Sequence, residues 1–312
     1  MMAGVVLVTG ASGFVGKHMV QSLARRGHRV RAASRHPSRS FGPAVETVAL
    51  PDLSQPFSAA ELVAGTDAVI HLAGIAHATR DITEAAYVAT NATAARTLAE
   101  AARSAGVRRF ILMSSVRAQC GPSVDGILTE DRVPAPTDAY GRSKLVAERA
   151  VAHALAGSAT SWTVLRPCLV YGAGVKGNMQ TLFHLARSRW PLPVGGLNGR
   201  RSIVSVENLC SAAVHALTSD KTESGAYLVA DDEALTVAEM IAALRAGLGR
   251  NAGVLPMLLP AKAVAISLWA LQCDALAARL FEDLIVDTRR LRATGWSPPE
   301  RTRAALAAAL SA

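Results

Sequence analysis

Short runs of β-branched and other apolar residues alternate with Ala-rich stretches through the first two-thirds of the chain. Val5–Thr9, Val30–Ala33, Val45–Ala49, Ala68–Leu72, Arg109–Ser114 and Trp162–Arg166 contain few polar positions. Such runs read as strands buried on both faces, as in a parallel sheet. Between them, Gly16–Arg26, Ala85–Ala105 and Tyr140–Ala156 have the length and spacing of helices. The alternation predicts an α/β fold: a doubly wound parallel sheet with helices on both sides. Beyond Pro167 the texture changes. Gly and Pro punctuate residues 171–199, mixed segments follow, and Ser224–Ala230 reads as one more strand. The expected division is a first domain over residues 1–172 and a smaller C-terminal substrate-binding lobe over 173–312, with about 203–230 returning to the first domain. Open sheets of this kind bind ligands at the carboxyl ends of their strands.

Composition narrows the class. Half of the 312 residues are hydrophobic and 18% are charged, enough for a large core and against extensive disorder. The net charge of +9 suits an anionic partner. No basic run is long enough for a nucleic-acid arm, and 4% aromatic residues are too few for a base-stacking platform, so nucleic acid is not an expected partner. Cys120, Cys168, Cys210 and Cys273 are scattered without a CxxC pair, and read as core thiols in a reducing compartment, with no metal site. The N-terminus runs directly into the first strand, unlike a signal peptide. The apolar segment Val254–Leu271 is broken by Pro256, Pro260 and Lys262, and predicts a packed helix able to touch a membrane surface, not a transmembrane span. A soluble, cytoplasmic protein is expected.

Three sites carry candidate chemistry. Thr9-Gly10-Ala11-Ser12-Gly13-Phe14-Val15-Gly16 leaves a strand and opens a helix. Gly10 permits a tight turn, Gly13 a close approach of backbone N–H groups to a pyrophosphate, and Gly16 close packing of helix on strand. The helix N-terminus adds a positive dipole end. This predicts a dinucleotide site in a Rossmann-type fold. At the end of the second strand stand Ser34 and Arg35, where a carboxylate would hold the ribose hydroxyls of NAD. A hydroxyl and a guanidinium suit the 2′-phosphate of NADP, which favours NADP with NAD as the alternative. Arg31 lies two residues before Ala33 on the same strand face. Third, Tyr140 and Lys144 are spaced i, i+4 on one helix face. A neighbouring ammonium would lower the phenol of Tyr140 from its ordinary pKa near 10 and prepare it for proton transfer.

With these motifs the chain resembles the extended branch of the short-chain dehydrogenase/reductase superfamily, the NAD-dependent epimerase/dehydratase family, over nearly its whole length. The resemblance implies that Ser115 joins Tyr140 and Lys144 as the catalytic set, steadying the reacting oxygen. It adds Asp52 and Leu53 at the adenine edge, Leu72, Ala73 and Gly74 along the cofactor, Asn91 near the lysine, and Pro167 at a strand-to-substrate-loop junction. Asn178 and Arg201 match positions that meet the diphosphate of a sugar nucleotide. Segments 174–178, 191–196 and 198–204 look most like bacterial enzymes of surface-polysaccharide synthesis. These include reductases of UDP-4-keto-6-deoxy-N-acetylhexosamine and 4-epimerases of UDP-hexose or UDP-N-acetylhexosamine; the Ser34-Arg35 pair tilts the expectation towards the 4-reductase. A non-catalytic NAD(P)-binding sensor is the further alternative, against which the complete Ser–Tyr–Lys set counts. A 4,6-dehydratase would need an acidic residue where Val116 and Arg117 follow Ser115. Helices 85–105 and 140–156 are suited to pair in a homodimer, as they do in proteins this chain resembles.

Overall fold

The strand β1 (Val5–Thr9) lies inside a seven-stranded sheet, all of whose pairings are parallel. On one side follow β2 (Arg29–Ser34) and β3 (Val45–Ala49); on the other β4 (Ala68–His71), β5 (Arg109–Met113), β7 (Ser161–Pro167) and β10 (Gly225–Val229). The order β10-β7-β5-β4-β1-β2-β3 reverses at β1, so the crevice beside β1 is the topological switch point. The computed structural model describes residues 4–37, 41–42, 45–76, 82–257, 260–271 and 273–310.

Helices cover both faces because the strands expose almost nothing: Leu7, Val8, Val69, Ile70, Phe110 and Leu165 are fully buried. One face packs α1 (Phe14–Arg25) and α7 (Val206–Thr218) against residues such as Val8, Ile70 and Ile111. The other packs α4 (Ala94–Ser104) and α5 (Ala139–Leu155) against Leu7, Val69 and Phe110. The predicted helix over 85–105 is not uniform. It begins as α3 (Glu84–Tyr87), widens into π-helical turns over Val88–Thr93, and continues as α4. Single π turns inside α-helices often mark functional positions, and Asn91 lies within this one.

Register brings the chemistry to one edge. Thr9 pairs with Ala33 and His71, His71 with Leu112, and Met113 with Leu165. The strands therefore end together, and the residues that follow them, Gly10, Arg35, Leu72 and Ser115, open onto the same rim.

The remainder of the chain adds α2 (Ala60–Val63), β6 (Ile127–Leu128), β8 (Leu169–Tyr171), α6 (Asn178–Arg187), β9 (Ile203–Ser205) and α8 (Val237–Gly247). It closes with α9 (Ala261–Ala270), α10 (Asp274–Phe281), β11 (Ile285–Val286), α11 (Arg289–Ala293) and α12 (Thr302–Ala308). Two small parallel pairs, β8 with β9 and β6 with β11, tie these segments to the loops above the sheet. Around Met179, Phe183, Leu235, Ile241, Leu244 and Leu306 they form a second apolar core. Within segment 254–271 the helix is confined to α9, which packs on α10. After Pro260, α9 buries Ala265 but leaves Ile266 exposed, as is Leu271 just beyond its end. No helix among the described residues is long and apolar enough to cross a membrane.

Candidate active site

The turn after β1 is built by its glycines. Gly10 has φ +72°, and a Cβ there would lie 2.8 Å from the Ala73 amide nitrogen. A Cβ on Gly16 would come within 2.1 Å of the Gly10 carbonyl oxygen, so α1 can approach the turn this closely only with glycine at its third position. Gly13 is the N-cap of α1, without a side-chain cap and with no acidic residue in the first turn. Ser12 is exposed above it and Val15 is half-buried below. The Phe14 ring stacks edge-on against His18 and lies against the loop at Gly172 and Gly174. An uncapped, positively polarised helix end on a glycine turn fits a pyrophosphate.

At the turn's base Thr9 Oγ1 lies 2.7 Å from His71 Nδ1 and accepts from the Ala73 amide at 3.3 Å. Leu72 donates its amide to the Thr9 carbonyl. Burial pushes His71 down to about 3, with the charge of Lys144 adding to the effect, so the imidazole is neutral and structural.

At the far end of the same crevice, Ser34 is buried and donates to the His36 carbonyl, while Arg35 is exposed. The exposed Asp52 carboxylate accepts from the amide and hydroxyl of Ser54, which, with the nearby charge of Arg35, holds it below the usual range. Leu53 packs on the adjacent core. Arg31 turns away. It binds Glu46 at 2.9 Å and the carbonyls of Leu62 and Ala64, fastening α2 to the sheet.

Beyond β5 the catalytic candidates come together. Ser115 caps a short 3₁₀ turn over Val116–Ala118, its Oγ accepting from the Arg117 amide. Asp138 caps α5 through the Gly141 amide and also binds Arg117 at 2.6 Å, which sets Tyr140 and Lys144 on the first turn and a half of the helix. Gly141 is required here: a Cβ would lie 2.2 Å from the Arg117 carbonyl oxygen. Tyr140 rests against the Tyr87 ring, 6.2 Å between centroids. Its phenol is not lowered by Lys144. Burial pushes it up to about 12, against a downward pull from its hydrogen bond with Ser115. Lys144 is buried, directs its Nζ at the Met113 carbonyl oxygen 3.0 Å away, and is itself brought down to about 8 by burial. Asn91 holds the neighbouring loop, exchanging hydrogen bonds with both backbone groups of Ile75 and donating to Ser143 Oγ. A Cβ on Gly74 would meet the Asn91 side-chain oxygen at 2.6 Å and Lys144 Nζ at 3.6 Å.

Behind these groups lies a buried polar network that motif reading missed. Glu148, one turn after Lys144, accepts from Ser114 and from Arg166, whose Nη1 donates to Gln119 Oε1 at 2.9 Å. Gln119 Nε2 then donates to the carbonyls of Thr129, Glu130 and Arg132. The available signal was Arg166 itself, a charge inside the apolar strand preceding Pro167, which implies a buried partner.

The expected substrate residues are set on different elements. Asn178 begins α6, is exposed, and shares no hydrogen bond with Arg201. Arg201 donates to the carbonyls of Pro122 at 2.6 Å and Glu282 at 3.4 Å. Burial brings it down to about 10, assisted by the charges of Arg279 and Arg117. A cleft of about 530 Å³ lies among Gln119, Cys120, Ser123, Arg132, Glu282 and Asp283, and Arg201 is not one of its lining residues. No cluster of His, Cys, Asp and Glu suited to a metal occurs among the described residues.

Residues 6–230 match the NAD dependent epimerase/dehydratase family. The chain is 32% identical to a UDP-glucose 4-epimerase of Vibrio cholerae over 95% of its own length and 91% of that protein. Its fold is shared by MoeE5, solved with UDP-glucuronic acid and NAD, at TM-score 0.76 and 24% identity over 99% of this chain and 98% of that one. It is also shared by the human epimerase family protein SDR39U1, solved with NADPH, at TM-score 0.74 and 26% identity over 98% of this chain and 99% of that one. The glycine turn at the switch point, the Ser–Tyr–Lys grouping and this family match agree: the chain belongs to the NAD-dependent epimerase/dehydratase family of extended short-chain dehydrogenases/reductases and is an NAD(P)-dependent enzyme of that type.

Proposed function

We propose that the chain reduces the C4 ketone of a UDP-linked hexose with NADPH, as a UDP-4-keto-6-deoxy-N-acetylhexosamine 4-reductase. The observation that carries this reading is the end of β2, where buried Ser34 and exposed Arg35 stand with no carboxylate, together with Tyr140 hydrogen-bonded to Ser115 on the same rim. A phenol held at about 12 keeps its proton at neutral pH and is ready to give it to a carbonyl oxygen. Ser115, hydrogen-bonded with that phenol, would hold the same oxygen, and the buried Lys144 would hold the nicotinamide ribose beside it. The nicotinamide cofactor, when bound, supplies the hydride. The uncapped first turn of α1 would take its pyrophosphate, with Thr9, Gly10, Ser12, Gly13, Phe14, Val15 and Gly16 around it. Leu72, Ala73, Gly74, Asn91 and Pro167 would line the path between that turn and the Ser115 rim. Exposed Arg35 beside buried Ser34, with no carboxylate at the end of β2, supports a 2′-phosphate and hence NADP. Asp52 and Leu53 would border the adenine. Arg201 and Asn178 would contact the diphosphate of the sugar nucleotide.

A second reading, a 4-epimerase of a UDP-hexose or UDP-N-acetylhexosamine with retained NAD, is favoured by the Vibrio cholerae relative. It uses the same three side chains but returns hydride to the opposite face of the sugar. The two readings separate in one experiment. The protein is purified, any bound cofactor is released by denaturation and identified, and NADPH oxidation is followed with a UDP-4-keto sugar. Stoichiometric NADPH consumption supports the reductase. Tightly held NAD, with interconversion of C4 epimers and no net cofactor turnover, replaces it with the epimerase.

A further inference from the structure

We infer that the lobe carrying α9 docks on an anionic lipid surface. Exposed apolar side chains are concentrated there: Trp190 and Leu271 are each 73% exposed, Ile266 61% and Leu255 48%. These positions belong to one connected region. Leu192, just after Trp190, exchanges backbone hydrogen bonds with Gly253 and Leu255; Gly199 donates to Leu280; α9 packs on α10. On α9, Ala265 is buried and Val264 and Leu268 are half-buried, while Ala263, Ile266, Ser267 and Ala270 are exposed. A helix apolar on its outer side is built for a medium other than water.

Charge says which medium. Residues 173–206 and 240–273 together contain eight Lys and Arg and not one Asp or Glu, with the acidic residues Asp274, Glu282 and Asp283 standing on the α10 side. Beside Trp190, the exposed Arg187, Arg189 and Arg250 form a basic rim, with Arg250 Nη1 donating to the Arg187 carbonyl at 2.7 Å. An indole flanked by arginines, joined through the 192–195 and 253–255 backbone to the segment that leads into α9, matches the interfacial zone of a bilayer bearing negative headgroups. A second copy of the same face would bring like charges together, which disfavours self-association as the occupant.

The docking is independent of which sugar is reduced, and its test uses no substrate. Flotation with vesicles of phosphatidylcholine, with and without phosphatidylglycerol, should show at least about tenfold more protein on the anionic vesicles, and added salt should release it. The pairs Ile266→Glu/Leu271→Glu and Arg187→Gln/Arg189→Gln should each lower that binding by about tenfold or more while NADP(H) affinity is unchanged. Quenching of indole fluorescence by brominated anionic lipid should occur in the parent chain and fall in Trp190→Phe, a reading that does not depend on the glutamate variants folding. Absence of binding to anionic vesicles, or full binding by both double variants, overturns the proposal. A glutamate variant that only converts a dimer to a monomer in light scattering assigns the face to a second copy, and retention of binding on neutral vesicles alone removes the role of the arginines.

Discussion

Arg166 on β7 and Glu148 on α5 form a buried ion pair, with Nε and Nη2 of the arginine within 2.5–3.2 Å of the carboxylate oxygens. The pair joins the helix that carries Tyr140 and Lys144 to the sheet, and through Gln119 to the loop at residues 129–132. Removing one member leaves the other charged and uncompensated. Arg166→Met or Glu148→Gln is expected to lower stability by about 3–5 kcal/mol. Urea denaturation measures it; a loss within experimental error of zero would show that the network is not needed for folding.

Lys144 makes stability depend on pH in a defined direction. Its ordinary value is 10.5 and burial brings it to about 8 in the folded chain. Between those values the unfolded chain holds the proton more tightly, so this group's contribution to stability rises from pH 8 towards 10.5 and is flat below 8. The full effect is about 3 kcal/mol. The stability of the parent chain relative to Lys144→Met should therefore increase over that window; a decrease would mean that the ammonium is favoured, not disfavoured, by its surroundings.

Tyr140→Phe keeps the ring against Tyr87 and deletes only the hydroxyl. Turnover on a UDP-4-keto sugar should fall at least ~100-fold, the scale of a lost general acid, with NADP(H) affinity nearly unchanged. Near-parental turnover would remove Tyr140 from the proposed chemistry.

Cofactor choice is proposed to rest on Ser34 and Arg35 at the end of β2. Ser34→Asp with Arg35→Asn introduces a carboxylate and removes a cation where the 2′-phosphate would lie. Preference should move from NADP(H) towards NAD(H) by more than ~10-fold, about 1.4 kcal/mol. If the parent chain already prefers NAD(H), the proposed role of Arg35 fails and the epimerase reading gains.

Arg201→Ala tests the diphosphate contact. UDP alone should bind about tenfold more weakly or worse, since a charge-assisted contact to phosphate contributes roughly 1.5–3 kcal/mol, while NADP(H) affinity stays. Calorimetric titration of both ligands decides it. Equal UDP affinity would leave Arg201 as a clasp for the Pro122 and Glu282 carbonyls only.

The strand runs were legible in the sequence because a sheet buried on both faces admits few polar residues. β1, β3, β5 and β10 fall within a residue or so of their predicted spans. The glycine turn was equally legible: Gly10 and Gly16 stand where any Cβ would strike backbone, a local requirement that shows in residue type. What sequence could not decide depends on groups distant along the chain. The separations of 34 positions from Ser114 to Glu148 and of 47 from Gln119 to Arg166 close only when β5, β7 and α5 pack together. The same holds for the phenol of Tyr140. The i, i+4 spacing placed an ammonium on its helix face, but tertiary packing turned Lys144 towards Met113 and half-buried the ring, so desolvation sets the direction of the shift. Local pattern determined the elements and the pyrophosphate turn, because backbone sterics and burial act residue by residue. Only the folded chain decided protonation and the outward face of α9, because desolvation depends on which surfaces meet.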